Sequence, residues 1–380
     1  MIAPSTKPGF NHRLRRPATG VVALTFIVTG PSLAGPLEDF RALEDKLIAA
    51  HADYAEALGK LDRDEAGRVK PGVITPPDPR SEIIAAIDAL ADKSAGSKEG
   101  LSISMGAFIW SWNFDLDLDR LHDRFKRLAT NYPDADELLD VLPNMRQVAA
   151  MLGKPEQWAA PLSNLTGATK NENVKLAAYH ALGEILMRTE KPTDGKPAFE
   201  KVIQLAPDSD LAKLAKGFIY EIEHLQIGMK APDFTLTTLD GKEISLTSLR
   251  GKIVLLDFWA SWCPNCLAAL PRLRATLKKF EDQPLQVIGI SLDDTREEAE
   301  SVLKHHDFPA VHSWHEAGAD HPVGVLYNVQ ELPTWYLIDA NGIIRARDPF
   351  GEKLEIAVEK IVKKMELEDK RATLSRTAPP

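Results

Sequence analysis

The chain has two cysteines in 380 residues, and both stand in one motif, Cys263–Pro264–Asn265–Cys266. Such a pair can close a structural bond, supply half a metal site, or exchange dithiol for disulfide with another protein. A two-residue spacer closes a loop too small to stabilise a fold appreciably. A closed zinc site carries further ligands at motif spacing, and none flank this pair. Exchange is the stronger reading: Cys263 attacks a substrate disulfide, and Cys266 resolves the mixed disulfide. With no other thiol in the chain, the pair has no internal competitor.

The flanking residues say how the pair is held. Ile253–Trp259 (IVLLDFW) reads as a buried strand of a parallel or mixed sheet. Leu267, Leu270, Leu273 and Leu277 then follow a helical pattern. The motif therefore lies where a strand ends and a helix begins. Free N–H groups and the positive end of the helix dipole favour a thiolate there, most of all at the leading cysteine. The expectation is an exposed Cys263 and a less exposed Cys266 one turn on. Pro264 suits the first helical turn, where a missing N–H costs nothing.

The length suits two domains. Net charge is −9, and four cations, Lys7, Arg13, Arg15 and Arg16, precede the first acid; removing them takes −9 to about −13. So acidic a surface argues against nucleic acid or an anionic membrane as partner. Residues 1–34 read as a secretory signal: Arg13, Arg15 and Arg16, the apolar run Ala18–Val28, and a small-x-small site at Ser32–Leu33–Ala34. The expected location is a bacterial periplasm, with an uncleaved N-terminal anchor as the alternative. Residues 36–226 read as a mostly α-helical domain, a candidate helical-repeat array without a clean period. Its helices are expected near 37–61, 81–92, 117–130, 135–142, 145–152, 172–189, 196–205 and 209–224, with a proline-rich loop over 62–80. Phe108, Trp110, Trp112 and Phe114 alternate as on one face of a strand. Residues 227–366 form the second domain. Strands are expected on either side of Asp240–Gly241 and of Asn341–Gly342, with another at 285–292. Thr295 and Glu298 form a capping box. A closing helix runs over 352–365 and a loose tail over 367–380.

Several further residues share one pattern. Trp259 and Trp262 bracket the approach to the cysteines, Asp257 stands six before Cys263, and Pro271 lies inside the helix. Leu332–Pro333–Thr334 leads into a strand-like WYLID, and Gly228-x-x-Ala231-Pro232-x-Phe234 opens the domain. Together, from Ile227 to Met365, these resemble the TlpA-like, AhpC/TSA-related thiol–disulfide oxidoreductases. The resemblance implies an α/β thioredoxin fold, no cofactor, and protein thiols or disulfides as substrates. It implies that Asp257 is a buried acid that takes the Cys266 proton, and that Pro333 is cis and faces the cysteines. Trp259, Trp262, Pro264, Asn265, Leu332 and Thr334 become candidate substrate contacts, with packing the weightier role for the two tryptophans. Family likeness points to a reductant fed by a membrane electron donor and serving oxidised proteins such as cytochrome c precursors. The Pro264–Asn265 order differs from the x-Pro order of many reducing members, so a disulfide oxidant or isomerase is the alternative. A third reading makes the helical domain the main functional part, an interaction scaffold with its own protein partner.

Other clusters carry less. A peroxidase would need Thr or Ser at Ala260 and Pro at Leu256. His305, His306, His312, His315 and His321 crowd one stretch but match no ligand spacing, so no metal is expected. Asp115, Asp117 and Asp119 resemble a calcium loop until Arg120 and Lys126 occupy its Gly and Glu positions; they read as a solvated run.

Overall fold

A computed structural model describes residues 35–63, 69–115, 117–152, 154–306, 308 and 310–377. The expected leader, 1–34, lies outside them. The described chain forms two compact units, 35–216 and 217–377, so the boundary falls upstream of the expected 227.

The first unit is helical: α1 (Pro36–Gly59), α2 (Ser81–Lys93), α3 (Lys98–Trp110), α4 (Leu118–Asn131), α5 (Leu138–Val141), α6 (Met145–Leu152), α7 (Glu156–Ala168), α8 (Glu172–Leu186), α9 (Lys196–Leu205) and the start of α10 (Asp210–His224). Side-chain caps begin several of them, satisfying N–H groups that have no partner within the helix. Ser97 accepts from the Gly100 N–H, Asp117 from Arg120, and Asn171 from Asn173 and Val174. Asp117, expected in a solvated run, has a side chain that remains 42 % exposed and also caps the helix. The aromatic alternation at 108–114 is also corrected. Those residues close α3 and pass through a π-helical turn at Ser111–Asp115. Four aromatics spaced by two contain two i,i+4 pairs, and a helix brings each together: Phe108 with Trp112 at 6.0 Å, Trp110 with Phe114 at 5.8 Å. Helix α7, with Pro161 inside it and Trp158 fully buried, was not anticipated.

The second unit holds a small hairpin, β1 (Thr235–Thr237) with β2 (Glu243–Ser245), and a mixed sheet. The sheet is built from β3 (Ile253–Trp259), β4 (Leu285–Ser291), β5 (Val311–Ser313), β6 (Thr334–Ile338) and β7 (Ile344–Arg347), in the order β5-β4-β3-β6-β7. β4 runs parallel to β3 and β5, whereas β6 runs antiparallel to β3 and β7. This is the expected thioredoxin fold. β3 is buried along its whole length, and alternation sends its side chains to two different cores. Val254, Leu256 and Phe258 join Ile288, Ile290, Tyr336 and Ile338 on one face. Ile253, Leu255 and Trp259 join Val287, Trp335 and Leu337 on the other, with α11 (Pro264–Lys279) and α14 (Glu352–Thr377). Between β4 and β6 the chain forms α12 (Arg296–His305), opened by the expected capping box, then β5 and α13 (Pro322–Leu326). α14 runs on to Thr377, where a loose tail from 367 was expected. Residues 366–377 contain no Gly or Pro and are rich in strong helix formers, so nothing stops the helix at Met365.

The shifted boundary has a physical cause. Glu221, on the last part of α10, is 2 % exposed and pairs with Arg347 of β7, while Asn328 Nδ2 donates to its Oε2 at 2.7 Å. The Arg347 guanidinium also lies 5.3 Å from the centre of the Tyr336 ring. Gly217 permits this close approach: a Cβ there would lie 2.4 Å from Asn328 Oδ1. The end of α10 is thus stapled to the sheet by a buried charge, and removing Glu221 takes from Arg347 and Asn328 their buried acceptor. Glu221→Ala should destabilise the second unit by about 2–3 kcal/mol. A urea midpoint unchanged from wild type would sink this account.

Candidate active site

Cys263 caps α11. Its backbone is extended, and its sulfur and carbonyl oxygen both lie 3.1 Å from the Cys266 N–H. The two sulfurs are joined in a disulfide, with Cα atoms 5.3 Å apart. The expected contrast in exposure is absent, since each cysteine is 5 % exposed. Trp262 and Leu332, both half-buried, pack against the cluster that contains the pair, while Pro264 and Asn265 are exposed beside it. Pro271 lies inside α11, where a proline removes a hydrogen bond from the helix ladder.

Behind the pair lies a row of residues set by strand register. Asp257 of β3 stands opposite Gly289 on β4 and Trp335 on β6, and Gly289 stands opposite His312 on β5. Asp257 belongs to the odd-numbered set of β3 and so shares the face of Trp259, Cys263 and Cys266. It is 3 % exposed, and Trp335 Nε1 donates to its Oδ1 at 2.7 Å. Burial among apolar side chains disfavours the carboxylate and pushes its pKa up to about 7, against the opposing effect of the Trp335 bond. The Leu332–Pro333 peptide bond is cis. Because Thr334 pairs with Phe258, this bond lies at the end of the sheet from which β3 runs into the motif.

A second buried carboxylate holds the loop between β3 and α11. Asp293 is fully buried, and its Oδ1 accepts from the Ser261 N–H at 2.9 Å and hydroxyl at 2.7 Å. Ser291 Oγ donates to Oδ2 at 2.8 Å, and Trp314 Nε1 donates to the Asp293 carbonyl at 2.9 Å. Burial raises the Asp293 pKa, and the serine bonds oppose that rise.

The sequence model of the AhpC/TSA family matches residues 227–347. The thiol-disulfide oxidoreductase ResA of Bacillus cereus (strain ZK / E33L) is 32 % identical over 155 residues, 39 % of this chain and 86 % of that protein. The thioredoxin-like protein YneN of Bacillus subtilis (strain 168) is 34 % identical over 126 residues, 32 % of this chain and 70 % of that protein. Among solved structures, the thioredoxin domain of a thiol-disulfide oxidoreductase from Bacteroides vulgatus is similar at 29 % identity. That similarity covers 36 % of this chain and 96 % of that one, with a TM-score of 0.34. The chain belongs to the TlpA-like thiol–disulfide oxidoreductases.

Within this oxidoreductase the structure sorts the expected site residues. Cys263, Cys266 and Asp257 share one face of the sheet, and Pro333 lies at the same end. Pro264 and Asn265 are exposed and Trp262 and Leu332 half-buried, so each retains surface beside the disulfide. Of the candidate substrate contacts, Trp259 takes the packing role given more weight for it, and Thr334 is corrected. Trp259 is 1 % exposed and packs on Phe308 at 5.4 Å. Thr334 is fully buried and donates to the Glu331 carbonyl at 2.7 Å. Strand alternation and the ladder hold both inside, where they shape the site without touching a partner. The histidine group also disperses. His305 bonds its own helix at Ser301, His315 and His321 meet edge to face at 5.6 Å, and His312 joins the row beside Gly289. Asp293, Ser261 and Trp335 were missed. Only the family-like spacing around the cysteines drew notice, and nothing local marks Asp293 as a partner of a residue 32 positions earlier.

A carboxyl whose pKa is raised binds its proton more tightly folded than unfolded. Its contribution to stability is complete below the unfolded value near 4 and is lost as pH rises through about 7. Compared with Asp257→Asn, the wild-type chain should therefore lose about 3 kcal/mol of stability between pH 5 and pH 8. Urea unfolding of both proteins at each pH reads this directly. A difference that does not change with pH would mean an ordinary carboxyl.

Proposed function

We propose that the protein is an exported reductant of protein disulfides, with Cys263 as the attacking thiolate and Cys266 as the resolving thiol. The observation that carries this is a redox pair at a helix N-terminus with a buried carboxyl group behind it on the same sheet face. The helix end favours a thiolate at Cys263. It attacks one sulfur of the substrate disulfide and releases the other as a thiolate. Asp257 takes the proton from Cys266, whose sulfur then attacks Cys263 Sγ. The second substrate thiolate departs, and the Cys263–Cys266 disulfide closes. The cis Pro333 loop, with Leu332 and Trp262, would seat the substrate strand beside Pro264 and Asn265.

The electrostatics support a reductant rather than the alternative oxidant or isomerase. A strong oxidant needs a strongly stabilised thiolate, yet 253–271 contains no Lys, Arg or His. The buried Asp257 further opposes a second negative charge nearby. With two cysteines in the chain, each turnover needs an external dithiol, which we assign to a membrane electron donor. The leader-like pattern over 1–34 supports export to the periplasm; no described helix is long and apolar enough to cross a membrane. The helical unit is assigned to protein partners.

Equilibration in glutathione buffers with thiol counting should give a potential near that of thioredoxin, about −270 mV. A value near −120 mV, the range of strong oxidants, would reverse the direction of electron flow. Cys266→Ser should accumulate a mixed disulfide on Cys263. Asp257→Asn should slow mixed-disulfide release across pH 6–8, and an unchanged rate would remove Asp257 from the mechanism.

A further inference from the structure

Among the described residues, three buried polar atoms near the redox pair have no protein partner: the indole Nε1–H of Trp262, that of Trp259, itself 1 % exposed, and Nδ1 of His312. The last two converge on Gly289. A Cβ built on that glycine would lie 2.5 Å from His312 Nδ1 and 3.2 Å from Trp259 Nε1. The imidazole thus occupies the side-chain space of the strand next to its own. The tautomer follows from its other nitrogen. His312 Nε2 lies 3.0 Å from the Phe308 carbonyl oxygen, which can only accept, so Nε2 carries the hydrogen and Nδ1 presents a lone pair. A buried donor and a buried acceptor on two sides of one glycine are the partners a single ordered water requires.

Gly289 is also the register partner of Asp257. Neighbouring strands lie about 4.8 Å apart, so by reaching over the glycine His312 comes within about one strand spacing of Asp257 on the same face. We propose that His312, whose ring fills the space over Gly289, is a positioning residue for disulfide exchange that accepts, through one water bound by its Nδ1 and the Trp259 indole, the proton Asp257 takes from Cys266. This rests on the role assigned to Asp257 above. The step balances: the Cys266 thiol becomes a thiolate, Asp257 becomes a neutral acid, and the proton then passes by way of the water to Nδ1. The carboxylate is restored, and the half-buried imidazolium releases the proton to solvent. Burial lowers the His312 pKa, which favours the neutral ring and makes it a weaker base than Asp257, so it passes the proton on rather than holding it.

Among the described residues the groups packed on the imidazole are Trp259 of β3, Phe308 before β5 and Gly289 of β4, and Leu239 of the β1–β2 hairpin donates its N–H to the His312 carbonyl. None of these titrates. In the register row, Asp257 is one strand beyond Gly289, and Asp348 lies past Trp335, bonded to its N–H at 2.8 Å. His305, at the end of α12, bonds Ser301 of its own helix.

The test is a double-mutant cycle in the full-length reduced protein, with single-turnover reduction of a model disulfide followed from pH 5.5 to 9. His312→Gln should slow the reaction about tenfold at pH 7 and remove one ionisation from the profile, a modest share of what proton transfer contributes. Asp257→Asn with His312→Gln should be no slower than Asp257→Asn alone, because the two act in one relay. Gly289→Ala, whose Cβ would drive the imidazole away, should reproduce the His312→Gln profile with the histidine retained. A wild-type profile for His312→Gln, or fully multiplicative losses in the double variant, overturns the proposal while leaving Asp257 in place. An unchanged rate for Asp257→Asn alone defeats the parent mechanism and the relay with it.

Discussion

The carboxyl group of Asp257 lies on an apolar sheet face, under the helix that carries the cysteines. A carboxylate moved out of water loses several kcal/mol of hydration unless it is paired or hydrogen-bonded. The structure returns a single indole donor from Trp335, so the neutral acid is the comfortable form up to about pH 7. That poise matters because the group can both take and give up a proton at working pH. It also divides labour between the two sulfurs. The helix N-terminus favours negative charge at Cys263, whereas a nearby carboxylate disfavours it. Neither sulfur gains from a neighbouring cation in 253–271.

Keeping such a group in place demands a frame that does not yield. β3 supplies it by being hydrogen-bonded on both sides, to β4 in parallel and to β6 in antiparallel register. Parallel and antiparallel neighbours place Gly289 and Trp335 on either side of Asp257. The row therefore offers a donor on one flank and, through the missing glycine side chain, room for His312 on the other. The loop that follows β3 would otherwise be free to move the cysteines. Asp293 ties it down at Ser261, two residues before Cys263. Farther off, Glu221 fastens the end of α10 to β7 through Arg347, and that end of the helix belongs to the redox unit. Each device is a buried acid held by partners from elsewhere in the fold, and at Asp257 and Asp293 the hydrogen bonds offset only part of the desolvation cost.

Much of the redox unit was legible from short-range patterns. A continuous apolar run gave β3, the leucine spacing gave α11, and Asp240–Gly241 and Asn341–Gly342 marked hairpin turns. Thr295 and Glu298 capped α12 as expected. These succeed because turns, caps and periodicity are decided within a few residues. The aromatic run at 108–114 failed for the same reason: alternate spacing satisfies a strand face and two i,i+4 helical pairs equally well, and only packing against α4 and its neighbours chooses. α14 outran its expected end because propensity, not the loss of apolar spacing, sets where a helix stops.

By itself the sequence determined that two cysteines stand at the start of a helix after a buried strand, with an acid six residues before the first. Those are statements about neighbours along the chain, and covalent spacing enforces them. The tertiary structure alone decided that Cys263 is as buried as Cys266, that Trp259 and Thr334 face inward, and that His312 fills the space over Gly289. It alone drew Glu221 across the sequence boundary into the second unit. These depend on strand order and register, which bring residues dozens of positions apart into contact, and on the cost of leaving a charge or polar group buried without a partner.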